Sequence, residues 1–204
     1  MDRDIEEIEF TIFDTETTGL DPKSGDRVVE LAAIRFKGKG KLASFQSLIN
    51  PGYPISPEAF NVNRISQDML DSAPKPREVI IKFMDFIKGS CLCSYNAGFD
   101  LGFLNNELRL LGENELKDIP VVDILKISRR MLPGLQRYAL WFVAEKLNIA
   151  IKQEHRAFSD VELTLGVFYK LQEIMRSREI IEFSRFLDLF SINLETKNEN
   201  RSAG

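Results

Sequence analysis

The chain has 204 residues, 44% of them apolar and 28% charged, with a formal net charge of −4. That length supports one substantial core and is short for two full domains, and the acidic balance excludes a protein that grips nucleic acid through a broad basic surface alone. No run approaches the roughly 18 consecutive apolar residues of a membrane span, and the opening "MDRDIEEIEF" is acidic where a secretory leader is basic and then apolar, so a cytoplasmic location is expected.

Residues 8–14, 27–37 and 41–49 are rich in β-branched and apolar side chains and are separated by "GLDPKSGD" and "KGKG". Short spacers of that kind predict three strands in an antiparallel meander. At residue 76 the period changes: "PREVIIKFMDFIKG" has helical spacing, with Pro at its start and Gly at its end. A short strand over 90–95 follows, then a helix over 97–111 ending at Gly112. A strand near 119–122 precedes helices over 123–131, 138–147 and 157–175. Meander first and alternation second describe a mixed sheet flanked by helices, an α/β protein. Residues 178–190 read as a further apolar helix, and "NLETKNENRSAG" is polar throughout and expected to be disordered. The expected organisation is one domain over 1–175 and a helical, then disordered, extension over 176–204.

Cys91 and Cys93, in "SCLCSY", fall on one face of a strand and have no neighbouring His or Cys pair to complete a tetrahedral zinc site. They are expected to be buried and reduced.

The chemistry concentrates in acids. In "FTIFDTETTGL" an apolar strand ends in Asp14 and Glu16, which project to the same side because strand positions alternate. Two carboxylates so close repel unless one is protonated or a cation lies between them, and oxygen-rich sites of this kind suit Mg²⁺ or Mn²⁺. Taken alone, D-x-E is better read as a solvated strand end rich in turn residues. "SYNAGFDLGFL" then places Asp100 one helical turn after Asn96, an N-cap residue type. "EHRAFSDVELT" supplies His155, the chain's one histidine, and Asp160. The two converge most easily with His155 on the loop before a helix and Asp160 one turn inside it.

These three segments, in order across residues 8–175, resemble the three sequence blocks of the DnaQ-like, DEDDh-type 3′–5′ exonucleases. "DTETTGL" and "NAGFDLGFL" are closer to the proofreading exonucleases of bacterial replicative polymerases than to oligoribonucleases. The resemblance implies a ribonuclease H-like fold, a five-stranded mixed sheet in order 3-2-1-4-5 flanked by helices. It implies two divalent metal ions, Mg²⁺ or Mn²⁺, held by Asp14, Glu16, Asp100 and Asp160, with His155 taking the proton of the attacking water. It further implies that Thr17, Leu20, Ile65 and Asn96 contact the 3′-terminal nucleotide, Leu20 and Ile65 packing against its base.

Two departures bear on substrate preference. In "FNVNRISQDML", Asn63 and Arg64 replace a His-Gly pair, and Tyr95 replaces a His before Asn96. Asp123 reads as a helix cap. Lys126, Arg129, Arg130 and Arg137 read as a solvated face with a phosphate-contacting patch as the alternative, and Trp141, Phe142 and Leu147 as core. Residues 186–190, "FLDLF", resemble a bacterial sliding-clamp-binding pentapeptide, against the plainer reading of an amphipathic helix packed on the domain.

The implied activity is release of nucleoside 5′-monophosphates from a 3′ end of DNA, single-stranded or at a mismatched primer terminus, in proofreading or repair. A DNA polymerase III catalytic subunit, or the clamp through residues 178–190, is the implied protein partner. The same chemistry on RNA is the nearest rival, and an inactive nucleic-acid-binding module a more distant one. A D-x-D-x-T phosphatase is excluded by Glu16 at the second acid position.

Overall fold

A computed structural model of the chain describes residues 2–117, 119–150 and 156–192. The meander is formed by β1 (Glu9–Thr17), β2 (Val28–Lys37) and β3 (Gly40–Leu48). Both neighbouring pairs are antiparallel, with a register shift opposite Glu16 and Thr17 that leaves Val29 as the extra residue on β2. Two short helices, α1 (Pro57–Asn63) and α2 (Gln67–Asp71), come next, followed by α3 (Pro76–Ile87), β4 (Cys91–Ser94), α4 (Ala97–Leu110) and β5 (Val121–Asp123). The chain then runs through α5 (Ile124–Met131), α6 (Leu140–Lys146), α7 (Ala157–Ser177) and α8 (Phe183–Phe190). β4 joins β1 in parallel and β5 joins β4 in parallel, so the sheet order is β3-β2-β1-β4-β5, the order that the family resemblance implies.

Helices cover both faces, which explains why β1 and β2 are apolar on both sides and why their alternation is blunted. On one face Phe10, Ile12, Ile34 and Phe36 pack with α5, α7 and α8; on the other Phe13, Leu31 and Leu92 pack with α3 and α4. Phe10 lies 5.7, 5.4 and 5.8 Å from the rings of Phe36, Phe168 and Phe186. Each fully buried ring of this kind contributes about 1.5–3 kcal/mol. Cys91 and Cys93 are buried together on the same face as Phe10, as free thiols.

Three points sharpen the sequence reading. The sequence gives no periodic signal for α1 and α2, which are only seven and five residues long; each is started by a serine, Ser56 or Ser66, whose hydroxyl accepts from the third helical N–H. The division at residue 175 does not mark a break in packing: α7 runs through Ser177, and Phe186 and Phe190 of α8 belong to the same core as Phe10. Asp4 and Glu182 form a β-bridge, Phe183 N donates to Arg3 O, and Ile192 N donates to Val121 O, tying this segment to the stretch before β1 and to the edge strand β5. Because the two phenylalanines of "FLDLF" are fully buried, that pentapeptide is the amphipathic helix of the plainer reading, packed on the domain through Phe186 and Phe190. Residues 193–204, expected to be disordered, lie outside the described residues.

Candidate active site

The acids meet at the carboxyl end of β1, where open α/β sheets place their ligands. Alternation puts Asp14 and Glu16 on the side of Phe10 and Ile12, facing α7. Asp160 arrives on the first turn of α7. One carboxylate oxygen from each of Asp14, Glu16 and Asp160 lies within 4.8 Å of the others.

Asp100 comes from the opposite helix layer, on the first turn of α4. Its Oδ1 accepts from Thr15 N at 3.0 Å and Thr15 Oγ1 at 2.8 Å, and its Oδ2 accepts from Ser94 Oγ at 2.5 Å. Those bonds fix the carboxyl against the end of the sheet, outside the 4.8 Å group. Its charge still reaches both strand acids.

Burial and mutual repulsion push the acids upward. Asp14 is raised well above the ordinary carboxylate range by burial first, then by the charges of Asp100, Glu16 and Asp160. Glu16 is pushed to about 8 by burial, then by Asp160 and Glu30, with Arg156 opposing. Asp100 rises to about 6 through burial, the bonds from Ser94 and Thr15 holding it lower than burial alone would. An all-carboxylate set that keeps protons near neutrality in the absence of a cation has the donor chemistry of a hard divalent metal site. The residues present therefore fit divalent-metal binding.

A further acid supports the site without joining it. Glu30 sits on β2 directly opposite Glu16, fully buried. It accepts from Arg156 Nε and Nη2 at 3.0 and 2.8 Å, from Gln46 Nε2 at 3.1 Å and from Ala157 N at 3.2 Å. Burial works upward on its pKa, but the bonds from Arg156 and Gln46 outweigh it and hold the carboxyl below its ordinary value. The first residues of α7 are thereby pinned to the strand beside Glu16. His155, the residue before Arg156, lies outside the described residues. Sequence reading passed over Glu30, although a lone acid inside the apolar run "VVELAAI" is the signal of a buried, paired carboxylate.

The expected substrate residues divide. Leu20 is 84% exposed beside the site. Thr17 is buried, and its hydroxyl donates to Gly19 O at 2.5 Å. The turn is held from behind: Thr18 Oγ1 donates to Asp26 Oδ1, Asp21 N donates to Asp26 Oδ2, and Arg27 N donates to Thr18 Oγ1. A Cβ on Gly19 would lie 2.3 Å from Asp26 Oδ2, so any side chain there must displace the carboxylate that holds the turn. Asn96 occupies the N-cap position of α4 in a left-handed conformation (φ 69°) but makes no capping bond with its side chain, which is exposed. Asp123 accepts from both Asn96 N and Leu125 N, so it caps α5 as expected and also ties down Asn96.

Two expectations are corrected. Ile65 is 0% exposed, packed with Val29 and Leu70, and presents no surface to a base; the residue before Ser66 turns inward to close that small cluster. Trp141 is 45% exposed, because the short α6 buries Leu140, Val143 and Ala144 and leaves Trp141 on its outer side. The two departures both have partners inside the protein: Asn63 is buried, its Oδ1 accepting from Ile65 N and its Nδ2 donating to Thr17 O at 3.4 Å, and Tyr95 Oη donates to Tyr138 O at 2.8 Å.

The exonuclease family model RNase_T matches residues 11–168. The chain is 39% identical over 165 residues to the DNA polymerase III subunit epsilon of Treponema pallidum, covering 80% of this chain and 76% of that protein. It is 36% identical over 167 residues to the DNA polymerase III PolC-type of Bacillus subtilis, which covers 82% of this chain but only 12% of that much longer protein. Among solved structures, Exonuclease X in complex with 5′ overhanging duplex DNA is similar with a TM-score of 0.67 and 26% identity, covering 88% of this chain and 98% of that one. The nuclease domain of 3′hExo, a DEDDh family member bound to rAMP, shares the fold with a TM-score of 0.74 at 19% identity, over 83% of this chain and 94% of that one. With the ribonuclease H-like sheet and the gathered acids, these matches place the chain in the DnaQ-like exonuclease family.

Proposed function

We propose that the protein is a divalent-metal-dependent 3′–5′ exonuclease that releases nucleoside 5′-monophosphates from the 3′ end of DNA, in proofreading or repair. The observation that carries this reading is the meeting of Asp14, Glu16 and Asp160 at the end of β1, with Asp100 fixed beside them by Thr15 and Ser94. Asp14, Glu16 and Asp160 would hold Mg²⁺ or Mn²⁺, Asp100 completing a two-ion set. When bound, such ions supply the positive charge that offsets charge developing on the attacking and leaving oxygens of a phosphodiester.

The chain's own groups do the rest. A ring nitrogen of His155 accepts the proton of the attacking water, a task matched to an imidazole with an ordinary pKa near 6.5. The Glu30–Arg156 pair anchors the segment that leads from His155 into α7. Leu20 gives the terminal base an exposed apolar face, a sequence-tolerant contact. Thr17 and Asn96 line the same end of the sheet and contact the terminal nucleotide. The names of the relatives, DNA polymerase III subunit epsilon and PolC-type, support DNA as substrate and a replicative polymerase as partner.

The test uses end-labelled single-stranded DNA, a mismatched primer–template and RNA, each with Mg²⁺, Mn²⁺ or EDTA. Stepwise shortening from the 3′ end of DNA is expected, abolished by EDTA and by Asp14→Ala. His155→Ala lowers turnover by about 10²-fold or more while the rise in Tm on adding Mn²⁺ persists. Internal cutting, or degradation that survives Asp14→Ala, overturns the proposal; preferential shortening of RNA reassigns the substrate.

A further inference from the structure

The segment from Ile124 to Lys146 reverses the charge balance of the chain. It carries Lys126, Arg129, Arg130, Arg137 and Lys146 against the single acid Glu145. In its second half the cations lie over aromatic rings. The Arg137 guanidinium is 5.7 Å from the ring centroids of both Trp141 and Phe142, and Lys146 Nζ is 5.0 Å from Phe142. The two rings meet edge to face, 5.6 Å apart at 89°. The core does not need the indole: Leu140, Val143 and Ala144 make the buried face of α6, and Trp141, the chain's one tryptophan, stands 45% exposed. Among the described residues Arg137 forms no ion pair, and its guanidinium lies against the ring faces of Trp141 and Phe142.

The location gives this surface a direction. Tyr138, the neighbour of Arg137, is tied through its carbonyl to Tyr95 Oη, and Tyr95 precedes Asn96 at the carboxyl end of β4, alongside the acid-bearing end of β1. The hydrophobic side of α6 packs in one core with Ala157 and Val161 of α7, the helix that carries Asp160. Cations beside the exposed Trp141 and the half-buried Phe142 on the rim of the acid site suit a ligand that is both anionic and flat-faced.

We propose that Arg137, Trp141, Phe142 and Lys146 form a stacking platform that binds single-stranded nucleic acid several nucleotides back from the 3′ end held at the carboxylates. A base lies on the indole and the flanking phosphates meet Arg137 and Lys146, an arrangement that tolerates any sequence because every base has a π-face. The charge excess favours this occupant over a protein surface. The proposal rests on the exonuclease reading for the position of the 3′ end, but the platform's binding is measured without cleavage.

The experiment uses the full chain in EDTA with fluorescein-labelled oligothymidylates, a trinucleotide and a dodecamer, read by anisotropy and by Trp141 fluorescence. Trp141→Ala is expected to lower the ratio of dodecamer to trinucleotide affinity about tenfold, Trp141→Phe to restore part of it, and the dodecamer to quench the indole. Arg137→Gln is expected to reduce the slope of log affinity against log salt by about 0.7, one phosphate contact on a single strand. A dodecamer bound equally well by wild type and Trp141→Ala, or bound without altering Trp141 emission, overturns the platform and leaves that face to a protein partner. The two readings fail separately: a chain that shortens no strand yet shows the tenfold change keeps the platform and loses the nuclease, and a chain that degrades DNA without it does the reverse.

Discussion

Glu16→Gln is expected to stabilise the metal-free protein at alkaline pH, the opposite of what removing a residue from a working site usually does. The carboxyl of Glu16 is pushed to about 8 from an ordinary 4.5. Between those values the folded state binds a proton that the unfolded chain has released, so stability falls as pH rises through that window and the loss is complete above it. A difference of about 3.5 pH units at about 1.36 kcal/mol each corresponds to about 5 kcal/mol. Glu16 is only partly covered, and water at the open side screens its neighbours' charges, which reduces the expected loss to about 2–3 kcal/mol. Glutamine keeps the shape and removes the charge. Urea unfolding in EDTA at about pH 5.5 and about pH 9 should therefore show wild type losing stability over that range, with Glu16→Gln losing distinctly less. Adding Mg²⁺ at the higher pH should restore wild type and leave the variant less affected. Wild-type stability that holds or rises with pH in EDTA would refute the argument that these acids are crowded against their own charge.

Further outcomes follow from particular contacts. Glu30→Ala leaves the Arg156 guanidinium and the Ala157 N–H without their acceptor and should cost about 3–5 kcal/mol in urea unfolding, with faster hydrogen exchange at Ala157; a cost under about 0.5 kcal/mol would show that the pair does not hold α7 in place. Gly19→Ala drives a methyl group into Asp26, so it should cost about 1–3 kcal/mol and raise KM for single-stranded DNA by loosening the Thr17–Leu20 turn. Phe186→Ala empties a site against Phe10 and Phe168 and should lower stability by about 3–5 kcal/mol; a fully stable variant would contradict the place of α8 in the core.

The main elements were legible because each has a local signature. Runs rich in β-branched and apolar residues between Gly-containing spacers mark the meander, Pro76 and Gly89 bracket α3 with its terminal turn, and strand alternation alone puts Asp14 and Glu16 on one side. Asp160 could be set one turn into α7 from the spacing of "HRAFSD". What escaped depends on partners distant in sequence. Glu30 becomes a support only when Arg156 reaches it from 126 residues away. Thr15 and Ser94 look like ordinary strand residues until both donate to Asp100. Trp141 was expected in the core because helical spacing shows that a face exists but not which short helix has a core left to fill, whereas Ile65, set against a base by the resemblance alone, lies between α1 and α2 and closes on Val29 and Leu70. The strand order came from the family resemblance, since a meander followed by alternation is compatible with more than one arrangement.

The strap that joins Arg3–Ile5 to Ile181–Ser184 closes on the start of β1, while the chemistry sits where that strand finishes. The protein can consequently be held by one pole and watched at the other. A dye or surface linker on the exposed Arg185 position would leave the rim around the carboxylates clear, and single molecules tethered there could be presented with a strand.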